Sequence, residues 1–298
     1  MVLPKAVPRL SSCHHVAKSP TLQRSALLAA GLALVGCSGN QGPAPPGAEA
    51  PASPGATSLA AFTLVWSDEF DRPGPPDPAK WDHEEGLLRN DEAQYYTRGR
   101  LENARVEDGR LVLEARHERY ASADYTSASL ITRNRAHFLY GRVEVLAQLP
   151  RGRGLWPAIW MLGANIDEVG WPRCGEIDIM ENVGFEPDRI HGTVHTEAYN
   201  HTKNTAKGAE LRVPGISDGF HLYAIEWTPD RIDFFVDATA YFTFHKEAGG
   251  VSVWPFDAKQ YLILNVAVGG AWGGQQGIDT AVFPQRMLVD YVRAYSRR

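Results

Sequence analysis

Three carboxylates stand close together in the stretch GEIDIMENVG (residues 175–184): Glu176, Asp178 and Glu181. Ile177, Ile179 and Met180 fill the gaps, and no lysine or arginine lies among them. Like charges on one strand face destabilise it unless a ligand or a reaction compensates. Two chemistries use such a set. Hard oxygen ligands hold a cation such as calcium, and a pair of carboxyl groups hydrolyses a glycosidic bond, one as nucleophile and one as acid/base. Glu176 and Asp178, two apart, share one face of a β-strand, whereas Glu181 points to the opposite face of a regular strand. A β-bulge near Ile179–Met180 absorbs the odd residue and returns Glu181 to its partners. The spacing therefore predicts a bulged strand with all three acids on one face.

Tryptophans precede the acids. Trp156 and Trp160 lie in GLWPAIWMLG, and Trp171 lies in GWPRCGEIDIME. A flat ring offers the CH-rich face of a sugar a large apolar surface at little conformational cost. Trp156 and Trp171, each before a proline, read as groove-lining; Trp160, inside an apolar run, reads first as core. A groove of this composition suits a carbohydrate better than an ion. Cys174, next to Gly175, reads as a small buried filler, with no general base evident nearby for a cysteine nucleophile.

The elements that must carry these residues are strands. RLVLEAR (110–116), GRVEVLAQL (141–149), FHLYAIEW (220–227), RIDFFVD (231–237), AYFTFH (240–245), YLILNVAV (261–268) and VDYVRAYS (289–296) alternate or are rich in β-branched and aromatic residues. Pro229-Asp230, Asp237-Ala238 and Gly249-Gly250 punctuate them. Many short strands at this spacing predict an all-β fold, a jelly-roll sandwich of two antiparallel sheets with a concave cleft. No repeat of 20–50 residues is evident, so a single domain over 61–298 is the economical reading.

The first sixty residues differ in kind. Lys5, Arg9, Lys18 and Arg24 precede the apolar run ALLAAGLALVG (26–36), which is too short to span a bilayer and reads as a signal-peptide core over 1–36. LVGC (34–37) resembles a bacterial lipobox. That resemblance implies cleavage before Cys37, lipid on that cysteine, and a flexible Pro/Ala/Gly-rich tether over 37–60. Ser38 in place of aspartate favours the outer membrane by analogy with Gram-negative sorting. Of the three cysteines, Cys13 leaves with the signal and Cys37 carries lipid, so Cys174 has no partner and the fold rests on its core. The formal charge of −5 falls to −9 once the four basic residues of the signal are removed. Nucleic acid and anionic polymers are excluded as favoured partners. A neutral polysaccharide fits, with a membrane contacted through the lipid only and the chain a monomer.

With these motifs in view, the chain resembles glycoside hydrolase family 16, in particular its laminarinase-like branch with the E-x-D-x-x-E form. Beside GEIDIME, the pieces WSDEFD (66–71), NDEAQYYT (90–97), YGRVEV, HGTVHT (191–196), NVAVGGAWGG (265–274) and FPQRMLVDYVRAY (283–295) occur in the family's order. The resemblance implies endo-acting, retaining cleavage of β-1,3 bonds in laminarin-type β-glucans. It implies Glu176 as nucleophile, Glu181 as acid/base and Asp178 as a residue that hydrogen-bonds the nucleophile. His195 matches a position close to the acid/base, and Asn90 one that binds sugar hydroxyls. No cofactor is implied for catalysis. A structural calcium ion is implied at Glu69, the carbonyl of Gly109, and Asp290. Mixed-linkage β-1,3-1,4-glucanases, agar- and carrageenan-cleaving enzymes, transglycosylases and non-catalytic glucan-binding proteins share the fold; binding proteins typically lack the catalytic acids.

Overall fold

The computed structural model describes residues 59–298. The signal peptide, Cys37, Cys13 and nearly all of the tether expected from the sequence lie outside the described residues. In chain order the strands are β1 (Phe62–Asp68), β2 (Asp82–His83), β3 (Gln94–Tyr96), β4 (Ala104–Glu107), β5 (Arg110–Tyr120) and β6 (Ala123–Ser127). Then come β7 (Ser129–Ile131), β8 (Gly141–Gln148), β9 (Leu155–Gly163), β10 (Glu176–Glu181), β11 (Arg189–His195) and β12 (Lys207–Arg212). The last are β13 (His221–Trp227), β14 (Arg231–Val236), β15 (Thr239–His245), β16 (Gln260–Val268) and β17 (Gln285–Arg297). One short α-helix, α1 (Ile166–Val169), interrupts them. Among the described residues no helix is long and apolar enough to cross a membrane.

The strands form two sheets. A ten-stranded sheet runs β15-β14-β13-β8-β17-β5-β6-β3, with β1 added on β17 and β4 on β5. A seven-stranded sheet runs β12-β11-β10-β9-β16-β7-β2. All pairings are antiparallel except the short β3–β6 pair. This is the jelly-roll sandwich that the strand pattern predicts. Side-chain alternation builds its layers. On β9, Leu155, Ile159 and Met161 enter the core between the sheets. Trp160 and Leu162, with Ala158, turn to the other face and form a second cluster with Tyr261, Ile263 and Cys174. Trp160 thus packs in an apolar cluster, but on the open face of the sheet and not between the two layers. Cys174 is buried, as a filler should be.

Strand β10 obeys the same rule until its middle. Ile177 faces the core, and so do Ile179 and Met180, two neighbours in sequence that are both fully buried. Against β9 the register moves from Asp178 opposite Trp160 to Met180 opposite Ile159. Against β11 it moves from Asp178 opposite Thr193 to Glu181 opposite His191. One extra residue has been absorbed on β10 relative to both neighbours, which is a β-bulge at the predicted place. The driving force is burial: without the bulge, either Met180 leaves the core or Glu181 enters it. Burying a side chain the size of methionine is worth ~1.5–3 kcal/mol, and placing an unpaired carboxylate in the core costs more.

Candidate active site

The open face of the seven-stranded sheet forms the floor of a cleft of about 810 Å³ that contains Glu176, Asp178 and Glu181. Each arrives by a definite local route. Gly175 precedes the strand at φ 79°, a left-handed conformation that glycine adopts without strain; a Cβ there would also stand 2.7 Å from the ring of Pro255. Glu176 and Asp178 then follow the pleat, and the bulge turns Glu181 to join them. Gly184, two residues beyond Asn182, lets the chain pass Gly152, whose carbonyl oxygen would stand 1.7 Å from any Cβ.

The tryptophans hold the acids. The indole N–H of Trp171 donates to Glu176 Oε2 at 2.9 Å, and that of Trp156 donates to Glu181 Oε1 at 3.0 Å. Both rings are half-buried along the cleft, where the sequence reading puts them. Trp160 donates to Asn265 Oδ1 at 2.7 Å, and the guanidinium of Arg89 lies over its ring at 4.9 Å. Asn265 in turn donates to the hydroxyl of Tyr96 at 3.0 Å, which donates to Glu92 Oε2 at 3.1 Å. Asn90, exposed at the rim with φ 56°, donates to Glu92 Oε1 at 3.2 Å. Its own carbonyl accepts from Ala271, which ties the two loops at this end of the cleft together.

His195 lies directly across the β10–β11 ladder from Glu176. Its Nε2 is 3.2 Å from Asp178 Oδ2 and 3.7 Å from Glu176 Oε1. It therefore touches Glu176 and Asp178 directly, and it also acts electrostatically on Glu181, the acid/base that the resemblance sets it near. The reason is register: antiparallel pairing sets residue 195 against 176, and residue 191 against 181. His191 is thus the histidine beside Glu181, and its ring meets Trp272 edge-on at 4.9 Å. Arg89, His191, Asn265 and Trp272 all line the cleft, yet the sequence reading did not single them out. For Asn265 a signal existed: it is the one polar residue in the apolar run YLILNVAV.

Burial sets the electrostatics. It pushes Glu176 up to about 8, helped by the neighbouring Asp178 carboxylate, while His195, the Trp171 N–H and Arg89 oppose the rise. Burial likewise pushes Asp178 up to about 8, opposed by a hydrogen bond with Glu176. Glu181 is pushed well above the usual carboxylate range by burial and then by Asp178 and Glu176. Three carboxyl groups this close cannot all ionise at neutral pH. Glu181, repelled by both others, retains a proton, the state a general acid needs. Glu176, with an indole donor, a histidine and an arginine on its side, is better placed to become the anion.

Glu69, Gly109 and Asp290 lie elsewhere, along one edge of β17. There β5 pairs with residues 285–289 and β1 with residues 292–297, so the end of β1 and the start of β5 face the gap between. Glu69 follows β1, Gly109 precedes β5, and Asp290 is the residue skipped in the β17–β8 register. Two carboxylates and a carbonyl are suitable hard ligands for calcium. Both oxygens of Glu69 accept from Arg293, at 3.0 and 2.8 Å, and Asp290 lies 3.5 Å from Arg110. A cation here must draw these partly exposed carboxylates away from their arginines.

A jelly-roll sandwich whose bulged central strand aims paired carboxyl groups into a tryptophan-lined cleft has the construction of a glycosidase. Residues 91–293 match the family Glycosyl hydrolases family 16, and the chain belongs to it. A beta-glucanase of Rhodothermus marinus is 55% identical over 243 residues, 78% of this chain and 85% of the relative. The X-ray structure of the laminarinase from Rhodothermus marinus superposes with a TM-score of 0.78 at 54% identity, covering 80% of this chain and 98% of that one. SCLam, a non-specific endo-beta-1,3(4)-glucanase of the same family, superposes at 0.76 with 49% identity, over 80% of this chain and 92% of that one.

Proposed function

We propose that the protein is an endo-acting, retaining glycosidase that cleaves β-1,3-glucosidic bonds in laminarin-type β-glucans. The observation that carries this reading is the pair Glu176 and Glu181, turned to one cleft by a bulge and each gripped by its own indole N–H. Glu176 attacks the anomeric carbon while Glu181 gives its proton to the departing glycosidic oxygen. Glu181, now ionised, takes a proton from water, whose oxygen attacks the same carbon and releases Glu176 with configuration retained. Asp178 shares a hydrogen bond with Glu176 and positions it. Trp156, Trp160 and Trp171 offer ring faces or edges to successive sugars, and Asn90 and His195 offer polar groups. Cleavage of mixed-linkage β-1,3-1,4-glucan is the second reading, favoured by the likeness to SCLam.

We further infer a lipoprotein exported to the cell envelope and held by its tether at the outer membrane, acting as a monomer on β-glucan. Calcium, where bound by Glu69, the Gly109 carbonyl and Asp290, acts on stability alone, since β17 belongs to the ten-stranded sheet and does not line the cleft. Reducing-sugar release from laminarin, lichenan and agarose tests the main reading. Laminarin is the expected best substrate; a preference for lichenan overturns the linkage assignment. Glu176→Gln is expected to fold and to be inactive on all three, and turnover by that variant overturns the nucleophile assignment.

A further inference from the structure

Glu176, Asp178 and His195 form more than a reacting group and its neighbours. One donor atom from each lies within 4.8 Å of the others, on two adjacent strands whose pairing fixes them. His195 Nε2 stands 3.2 Å from Asp178 Oδ2 and 3.7 Å from Glu176 Oε1. Ligands 2.0–2.2 Å from a tetrahedral zinc ion are separated by about 3.3–3.6 Å, so these spacings match a coordination shell with little rearrangement. Two further features point to a cation. Asp178 is only 3% exposed, yet its Oδ2, aimed at His195, has no hydrogen-bond partner. His195 Nδ1 also lacks a partner, so nothing locks the ring proton on Nε2. With the proton on Nδ1, Nε2 presents its lone pair to the space between the carboxylates.

We propose that Glu176, Asp178 and His195 bind a borderline divalent transition-metal cation such as zinc, which switches the enzyme off by occupying the nucleophile. The mixed oxygen and nitrogen donor set selects zinc or copper(II) over calcium and magnesium, which take six or more oxygen ligands. Binding neutralises the crowded carboxylates that otherwise repel each other. The fourth coordination position opens to the cleft, because the Glu176 side chain retains 15% exposure. A metal there and a sugar at the cleavage point are mutually exclusive, since both need the lone pairs of Glu176.

The test is calorimetric titration of the intact, EDTA-treated protein with zinc chloride, an arm that needs no substrate and so stands apart from the glucanase reading. One zinc per chain is expected at the strong site, undisturbed by excess magnesium or calcium chloride. Asp178→Asn and His195→Gln, checked for folding by circular dichroism, should each weaken it at least ~10-fold, since even loss of a partner outside the ligand shell costs that much. Glu176→Gln serves where either fails to fold. In the second arm, zinc should raise the apparent KM for laminarin without lowering kcat, and EDTA should reverse it. No binding, binding equal in all variants, or inhibition that laminarin does not relieve overturns the proposal.

Discussion

Asp178→Asn removes a carboxylate that the fold accommodates at a cost, and the cost depends on pH. Burial raises Asp178 from the ordinary 3.8 to about 8. The native state therefore holds this proton more tightly than the unfolded chain does. Stability from that difference is fully present below about pH 4 and is lost as pH rises through about 8. Between pH 5 and 8 the loss reaches ~4 kcal/mol at ~1.4 kcal/mol per unit. This is an upper limit, because one proton held between Asp178 and Glu176 relieves both. Half of it, ~2 kcal/mol, corresponds to ~4–8 °C in Tm for a domain of this size. Asparagine cannot ionise and escapes the loss. Thermal unfolding of both proteins at pH 5 and pH 8 is the assay, with the variant gaining on the wild type by several degrees at the higher pH. A Tm difference that stays constant with pH, or that moves against the variant at pH 8, refutes the argument that this acid is held against its preference to ionise.

Other consequences can be checked separately. Glu181→Ala should lower kcat on laminarin by ~10²–10⁴-fold, while an aryl glycoside with a good leaving group still forms the glycosyl-enzyme and azide restores turnover. Trp156→Phe removes an N–H that favours the charged form of Glu181, so the alkaline limb of the kcat/KM profile should move to higher pH; a shift to lower pH contradicts the assignment. Deleting Ile179 removes the bulge but leaves Glu176, Asp178 and Glu181 alternating with Ile177 and Met180, so purified protein should keep its acids on the cleft face and retain activity on laminarin, while its Tm falls through the loss of one buried side chain. Calcium chloride should raise Tm in the wild type and not in Asp290→Asn, with kcat on laminarin unchanged in both at low temperature.

Much of this was legible in the residues. Strands that send every second residue into the core, such as β5 (Leu111, Leu113, Ala115), β13 (Tyr223, Ile225, Trp227) and β14 (Ile232, Phe234, Val236), can be read directly, because a one-residue slip would move that whole set to the other face. The bulge is legible for the same reason: two consecutive core residues, Ile179 and Met180, between acids that must share a face admit few other solutions. What alternation cannot supply is pairing across the sheet. Nothing in HGTVHT says whether His191 or His195 meets the nucleophile; the turn between β10 and β11 decides it. The cleft-lining Arg89 and Trp272 lie in loops brought to the site by β3 and β16, far apart in the chain. Trp160 shows a subtler limit. An apolar run reads as core, but a sheet with a packed core on one face can carry a second apolar cluster on the other, and a ligand groove is where that occurs.

The two carboxylate groupings illustrate how differently the fold treats acids of the same type. Glu69 and Asp290 are about two-fifths exposed or slightly less, with arginines in reach, and pairing holds Glu69 below the usual carboxylate range. The charges there cost little, because solvent and guanidinium share them. Glu176, Asp178 and Glu181 have no lysine or arginine in hydrogen-bonding contact; they are met by indole N–H groups and a histidine. An indole donates one hydrogen bond and no charge, so it orients a carboxyl group without neutralising it. Replacing Trp171 or Trp156 by a cation would stabilise the anions and with them the fold, and would lower the proton affinity that the first step of hydrolysis draws on. The choice of tryptophan therefore serves sugar stacking and acid strength together, and the bulge is what allows one strand to present both acids to such partners.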